Sequence, residues 1–293
     1  MKLAVLIPAA DYPVEWRWAY DVEAQALAAA GAEVEPVEWT SSRDVQGFDL
    51  VLPLVAWGYH KDYARWLELL DTFERQGTPV ENPIPLLRWN SDKSYLAELG
   101  SVGVPTVPTL LVETLDEAGL ACARDFFRCD DIVVKPPVSA SAYGTFRLRP
   151  DDDFPEAVRG RRMLAQPWIG SITTTGEYSL IFFAGAFSHA VSKVPVPGEF
   201  RVQPEYGGVI ERCDPPPGAL VVALAALAAA PAPATYARVD VVAGNDGAFQ
   251  VIELELIEPA LFLAQAPDAA PLFSAAVRAA AQQRLGEKPL AYR

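Results

Sequence analysis

Histidine and cysteine are nearly missing from this 293-residue chain, which has only His60 and His189 of the first and Cys122, Cys129 and Cys213 of the second. Three thiols cannot complete a disulfide framework, and their spacing matches no zinc pattern. Two imidazoles leave little room for a histidine-ligated metal or a histidine-based triad. Positive charge is also short: 24 Lys and Arg face 38 Asp and Glu, giving a net charge of −14 and a pI of about 4.6. That balance argues against a nucleic-acid or anionic-membrane partner, which would need a basic face, so phosphate could be bound only by a few placed cations. Long apolar runs are absent too. The longest, Ala219 to Ala230, has 12 residues, against the roughly 20 a membrane helix needs. The opening Lys2-Leu-Ala-Val-Leu-Ile has one charge before it and Asp11 and Glu15 close behind. It is taken as a buried first strand rather than a signal peptide, and the expected address is the cytoplasm.

What is present is apolar material, 51 % of the chain, ample for a core of two domains or of one large domain with a subdomain. The first 85 or so residues alternate strand and helix. Leu3–Ile7, Glu33–Val37 and Leu50–Val55 have strand texture; Glu15–Ala30 and Tyr63–Gln76 have helix texture, closed by Gly31 and Gly77. Such alternation predicts a parallel sheet with helices on its faces, and the loop Ala56-Trp-Gly-Tyr-His60 follows a strand end where such sheets place ligands. Asn82-Pro-Ile-Pro85 then breaks the pattern and marks a boundary. Beyond it, Asn90 or Ser91 is expected to cap a helix that starts around Lys93, Asp116–Phe127 to be a helix, and Asp131–Lys135 a strand. From Glu177 the texture turns to hairpins: Tyr178–Phe183, Phe187–Ser192, Tyr236–Val242 and Phe249–Leu256, the last two around Gly244-Asn-Asp-Gly247. Helices are expected at Ala219–Ala229 and Asp268–Leu285.

Three of the six lysines, Lys93, Lys135 and Lys193, head apolar or turn-flanked segments. Lys135 ends a strand and precedes Pro136-Pro137 and the small-residue loop Ser139-Ala-Ser-Ala-Tyr-Gly144. A cation beside accessible backbone amides can hold a phosphate, although an ordinary surface lysine would look the same. The acidic pattern is sharper. Arg238-Val-Asp240 and Glu253-Leu-Glu255 lie on otherwise apolar strands, and Glu253 and Glu255, two apart, share a face. Neighbouring carboxylates there repel unless a cation sits between them, and a few oxygen ligands are what Mg²⁺ takes when phosphates complete its shell. A solvent-facing edge strand is the plainer alternative.

Taken in order, Lys93, Lys135, Gln166-Pro-Trp-Ile169, Glu177, Asp240 and Glu253-x-Glu255 resemble the ATP-grasp superfamily, closest to its glutathione synthetase-like and D-alanine–D-alanine ligase-like members. Ser188-His-Ala, Arg201, Gly207-Gly208 and Glu253-Leu-Glu-Leu-Ile-Glu-Pro259 are similar to the O-ureido-serine cyclo-ligase type, which closes the D-cycloserine ring. The resemblance implies an α/β chain, α+β in its C-terminal part. The expected divisions are a Rossmann-like pre-ATP-grasp domain over 1–88, an ATP-grasp lid over 89–167 and a C-terminal ATP-grasp part with the metal site over 168–293. It implies that Lys93 and Lys135 grip ATP phosphates under the loop carrying Ser139, Ser141 and Gly144. Gln166, Pro167, Trp168 and Ile169 would form the hinge that meets adenine, and Glu177 would bond the ribose. Asp240, Glu253 and Glu255 would hold Mg²⁺, two ions being expected, with Glu255 standing where the superfamily commonly has Asn. Arg238, Arg201 and Lys193 would face the transferred phosphate and the substrate carboxylate. The implied reaction is ATP-dependent ligation of a small carboxylate to an amine through an acyl phosphate, as a ring closure or between two molecules. Neither nucleic acid nor membrane is an expected partner, and a homodimer is left open. The alternatives are a nucleotide-binding protein without turnover and a metal-dependent phosphatase or hydrolase.

Overall fold

The computed structural model describes residues 1–196 and 207–286. Lys2–Ile7 (β1), Glu33–Glu38 (β2) and Leu50–Leu52 (β3) form a parallel sheet in the order β2-β1-β3. β1 is buried along nearly its whole length because both faces are covered, which explains its unbroken apolar run. Pro36 is tolerated because β2 is the sheet edge. Beyond β3 the sheet continues for a few residues through Pro79 and Glu81, which bond the backbone of Val51. Arg17–Ala29 (α1) packs one face, and Tyr63–Gln76 (α2) the other through Trp66, Leu70 and Phe73.

Ile84–Asn90 (α3) and Tyr95–Ser101 (α4) follow. Here the expected helix start is corrected. Asn90 is the last residue of α3, and Lys93 lies in the turn before α4. Asn90 is instead spent on another segment. Its amide nitrogen donates to the carbonyl of Leu254 at 2.7 Å, and its oxygen accepts from the N–H of Leu256 at 2.9 Å.

A second, antiparallel sheet runs β4-β7-β5-β6: Leu110–Val112 (β4), Ile132–Lys135 (β5), Phe146–Leu148 (β6) and Met163–Pro167 (β7), backed by Glu117–Phe127 (α5). The side chain of Asp116 caps α5 by accepting from Gly119 N–H at 2.7 Å. β7 was not anticipated as a strand; it is central, and its near-continuous burial leaves no alternation to detect. The third sheet, order β10-β9-β8-β11-β12, comprises Glu177–Phe183 (β8), Ala186–Val194 (β9), Val209–Cys213 (β10), Tyr236–Ala243 (β11) and Phe249–Glu255 (β12). Ala219–Ala229 (α6) and α4 cover one face. Ala270–Gly286 (α7) returns to α1, where Ser274 Oγ donates to Ala26 O at 2.8 Å. Among the described residues no helix is long and apolar enough to cross a membrane.

Candidate active site

β5 ends on Lys135, and the prolines behind it turn the chain into the loop 139–144. Lys93 and Lys135 are not surface groups: they are 8 % and 9 % exposed. The backbone N–H of Lys93 donates to Pro137 O at 2.8 Å. Its Nζ donates to Ser139 O at 2.7 Å and pairs with Glu253 at 2.8 Å. Lys93 therefore ties the root of the loop to β12. Burial, reinforced by Lys93, pushes the Lys135 ammonium down to about 8 despite the opposing pull of Glu253 and Glu177. Within the loop Ser141, Ala142 and Gly144 are left-handed (φ +49°, +55° and +70°). A Cβ on Gly144 would stand 2.9 Å from Pro136 Cγ, so the loop's return past the strand end requires glycine.

The segment 166–169 closes the cleft. Gln166 is buried and donates to Thr109 Oγ at 2.8 Å. Both backbone groups of Trp168 are spent inside the protein: its N–H donates to Asp131 O and its carbonyl accepts from Asn245, each at 2.9 Å. The Arg147 guanidinium lies 3.8 Å from the centre of the Trp168 ring and is bonded to both oxygens of Asp131 at 2.6–3.1 Å. Pro167, Trp168 and Ile169 line one cavity with Lys93, Lys135 and Glu177. Arg147, Asp131 and Asn245 had no local signal, because pairing of β5 with β6 and the β11–β12 turn bring them there.

Across the cleft, β11 and β12 pair so that Asp240 faces Glu253 and Arg238 faces Glu255. Asp240, Glu253 and Glu255 each offer an oxygen within 4.8 Å of the other two. β12 is an edge strand, yet it does not face solvent alone. Tyr95 Oη donates to Leu254 O at 2.8 Å and accepts from its N–H at 2.9 Å, Asn90 bonds beside it, and Val107 N–H donates to Val251 O. The cluster is neutralised by the protein's own cations. Arg238 holds Asp240 at 2.9 Å and also Glu255; Lys193 holds Glu177 and lies 3.3 Å from Asp240. Ser179 donates to Asp240. Burial works against the Asp240 charge, but Arg238 and Lys193 outweigh it and keep its carboxyl well below the usual range. Burial raises Glu177 and Glu255 to about 7. Gly176 (φ +80°) sits against β9, where a Cβ would come within 2.2 Å of Lys193 O, so this close approach sets the Glu177–Lys193 pair.

Of the expected set, Lys93, Lys135, Ser139, Gln166, Pro167, Trp168, Ile169, Glu177 and Glu253 line this cavity, and Asp240, Glu255, Arg238 and Lys193 are joined to Glu253 or Glu177 through the carboxylate cluster and its ion pairs; Ser141 and Gly144 lie in the loop beside it, and Arg201 lies outside the described residues. His189 does not reach the cluster: its two nitrogens are bonded to Ser188 Oγ and Leu261 O at 3.0 Å. Glu258, three residues beyond Glu255, is pushed up to about 8 by burial and by Glu255.

Fold and cleft together define an ATP-dependent, ADP-forming ligase of the ATP-grasp type, which joins a carboxylate to a nitrogen. Residues 5–82 match the family model described as the N-terminal domain of D-cycloserine synthetase DcsG. The cycloserine biosynthesis protein DcsG of Streptomyces lavendulae is 32 % identical over 94 % of this chain and 97 % of its own length. The crystal structure of D-cycloserine synthetase DcsG superposes with a TM-score of 0.82 at 29 % identity, covering 97 % of this chain and all of that one. D-alanine–D-alanine ligase of Bacillus anthracis, solved with ATP, shares the fold at a TM-score of 0.70 and 18 % identity, covering 98 % and 99 %. The chain belongs to the DcsG family.

Proposed function

We propose that this protein closes a ring within one small amino acid, turning O-ureido-D-serine into D-cycloserine. The observation that carries the reading is a cleft lined by two buried lysines, by Ser139 and Ala142 of the small-residue loop and by Glu253, the member through which the carboxylate cluster with Asp240 and Glu255 meets the lysines. The names of the DcsG relatives supply the product.

A carboxylate is a poor electrophile because its leaving group would be oxide. Transfer of the γ-phosphoryl group from ATP to it gives an acyl phosphate. Attack on the acyl carbon by the nitrogen that the side-chain oxygen bears forms the C–N bond and expels phosphate, and the carbamoyl group on that nitrogen is removed by water as carbamic acid. Catalysis here is positioning and neutralisation of charge. Lys93 and Lys135 would hold phosphate oxygens, with the amides of Ser139, Ser141 and Gly144 over them. Trp168 has no free backbone group, and Trp168 and Gln166 face β5 in the ladder. The adenine contacts therefore fall to the carbonyl of Pro167 and the N–H of Ile169. Glu177 would take the ribose hydroxyls; Arg238, Lys193 and Arg201 would take the transferred phosphate and the substrate carboxylate.

The oxygen-only donor set Asp240, Glu253 and Glu255 fits Mg²⁺, and two ions suit three carboxylates shared with a polyphosphate. Magnesium there would supply charge neutralisation for the phosphoryl group. The test is ADP release with O-ureido-D-serine and no second amine, with hydroxylamine added to trap the acyl phosphate as a hydroxamate. D-Cycloserine and hydroxamate are expected. A strict requirement for a separate amine would overturn ring closure, and ADP with phosphate but no hydroxamate would overturn the acyl phosphate.

A further inference from the structure

Trp168 is the residue at which the chain passes from the second sheet to the third. Its N–H donates to Asp131 O, at the start of β5, whereas its carbonyl accepts from Asn245 Nδ2 at 2.9 Å, in the turn between β11 and β12. The Asn245 amide makes a further bond there, because its Oδ1 accepts from the N–H of Gly170 at 3.2 Å. One side-chain amide thus brackets Ile169, taking the carbonyl before it and the N–H after it, as a residue of a parallel strand brackets its partner. A carboxamide offers that donor and acceptor together, which a carboxylate does not. Ile169 is extended (φ −104°, ψ +106°). Backbone groups of successive extended residues point to opposite sides, so its N–H is turned away from Asn245 and left for the cavity that Pro167, Ile169 and Ile172 line. The turn does not need Asn245 for itself. Gly244 N–H donates to Ala248 O at 2.7 Å, Gly247 N–H to Gly244 O at 2.9 Å and Ala248 N–H to Asp246 Oδ1 at 3.0 Å. A second tie runs alongside: Ser171 Oγ donates to Ala243 O, and Ser171 O collects the N–H groups of Thr174, Thr175 and Gly176, which lead into Glu177. Asp240 and Glu253 stand on the two strands that this turn joins. From Trp168 onward the hinge is carried by the sheet that bears the carboxylates, not by the sheet it comes from.

We propose that Asn245 is a positioning residue for the nucleotide: by bracketing Ile169 it sets the Pro167 carbonyl and the Ile169 N–H at the spacing an adenine edge requires, in register with the carboxylates of β11 and β12. The inference rests on the proposed placement of adenine against 166–169 and adds what makes that wall selective for the base. Adenine donates from its 6-amino group and accepts at the neighbouring ring nitrogen, so it can complete the open side of the segment as a strand would. That fit demands a fixed spacing between one carbonyl and one N–H two residues apart. Asn245 fixes it by holding the residues on both sides of Ile169. Without the bracket, the segment would be held at Trp168 N–H on one side and at Ser171 on the other, with Ile169 free to turn between them. Asn245 does not itself line the cavity; it acts through the backbone that does.

The experiment titrates wild type, Asn245→Ala and Asn245→Asp calorimetrically with ADP and with purine riboside diphosphate, which lacks only the 6-amino group, each with Mg²⁺. No acid substrate is needed, so the result does not depend on the ring-closing reading. Wild type is expected to favour ADP by about tenfold, the worth of one hydrogen bond to a site built for it. Asn245→Ala should cut that preference to about twofold, ADP losing about tenfold in affinity and the analogue about twofold. Asn245→Asp keeps the shape and the acceptor for Gly170 but sets a carboxylate against the Trp168 carbonyl, so it should lose the preference to the same degree. Melting temperatures should stay within about 4 °C of wild type, because Asn245 is exposed and its bonds add little to stability. If Asn245→Ala melts lower than that, Asn245→Asp carries the comparison. A wild-type preference retained in the variants, or an equal loss on both nucleotides, overturns the proposal. Equal binding of the two nucleotides by wild type overturns the placement of adenine and this inference with it, while ring closure, read from D-cycloserine formation, would stand.

Discussion

A buried ammonium without a carboxylate at ion-pair distance stays charged only as far as an incoming anion rewards it, and Lys135 is in that position among the described residues. Free of ATP it loses its proton near pH 8; with phosphates bound it should keep it. KM for ATP should therefore be flat below a pH of about 7 and rise by about tenfold per unit above about 8, because binding must then take up a proton. Lys135→Arg should flatten the rise, and Lys135→Ala should lower kcat by about 100-fold or more with the fold intact. Steady-state kinetics across pH with circular dichroism checks all three; ADP release within threefold of wild type in Lys135→Ala would remove Lys135 from the site. Glu255 is argued at the same scale. It shares Arg238 with Asp240, and on the proposed assignment its carboxylate would add to the metal site. Glu255→Asn should retain ligation but need about tenfold more Mg²⁺ for half-maximal rate, and Glu255→Ala should lose most activity. A magnesium titration with unchanged half-saturation in both variants would take Glu255 out of the metal site.

Elements matter here through what clamps them. The hinge after β7 is not held by its own sequence but by β6, whose Arg147 stacks on Trp168 while gripping Asp131 at the start of β5. Arg147→Ala removes a cation–π contact of about 1 kcal/mol and frees the indole. On the proposed placement of adenine against 166–169, the expected result is a rise of about fivefold in KM for ATP with kcat nearly unchanged, since Arg147 would orient the wall of that site without touching a reacting atom. Isothermal titration with an ATP analogue checks it, and equal affinity in the variant would show that β5 and β6 alone suffice. β12 is clamped in the same manner: Tyr95 and Asn90 replace a missing neighbouring strand by side-chain bonds to Leu254 and Leu256, which fixes the height of Glu253 and Glu255 above the lysines.

At the scale of the molecule, the first sheet does not close its own core. Leu3, Leu50 and Leu52 pack in one cluster with Ile181, Phe183, Tyr236 and Phe273 from β8, β11 and α7. Asn82 is the polar counterpart of that union. Fully buried, it donates to Tyr236 O at 2.9 Å and Leu256 O at 2.8 Å and accepts from Thr235 N–H at 2.7 Å. Asn82→Ala would leave two buried carbonyls and the partly buried N–H of Thr235 without this partner, at a cost of about 3 kcal/mol. Urea unfolding should show that loss as a lower midpoint at similar slope; a midpoint shifted by less than about 1 kcal/mol would mean that water replaces the amide.

The sequence by itself determined what depends on neighbours along the chain. Apolar runs and glycine caps placed α2 at Tyr63–Gln76 and α6 at Ala219–Ala229, with the bounds observed. Pairs two apart on a strand put Glu253 and Glu255 on one face, and the ordered set of lysines and carboxylates pointed to an ATP-grasp ligase. Tertiary structure decided what depends on approach through space. Asn90 looked like a helix cap because Asn and Ser commonly end the chain's entry into a helix, but its amide meets a strand more than 160 residues away. β7 had no alternation because both its faces are buried. Glu253 and Glu255 find cations, Lys93 and Arg238, on segments remote in sequence, and Glu258 has no ion pair among the described residues. Local spacing carries hydrophobic period and shared faces, whereas the partner of a buried charge is set only when the sheets close on one another.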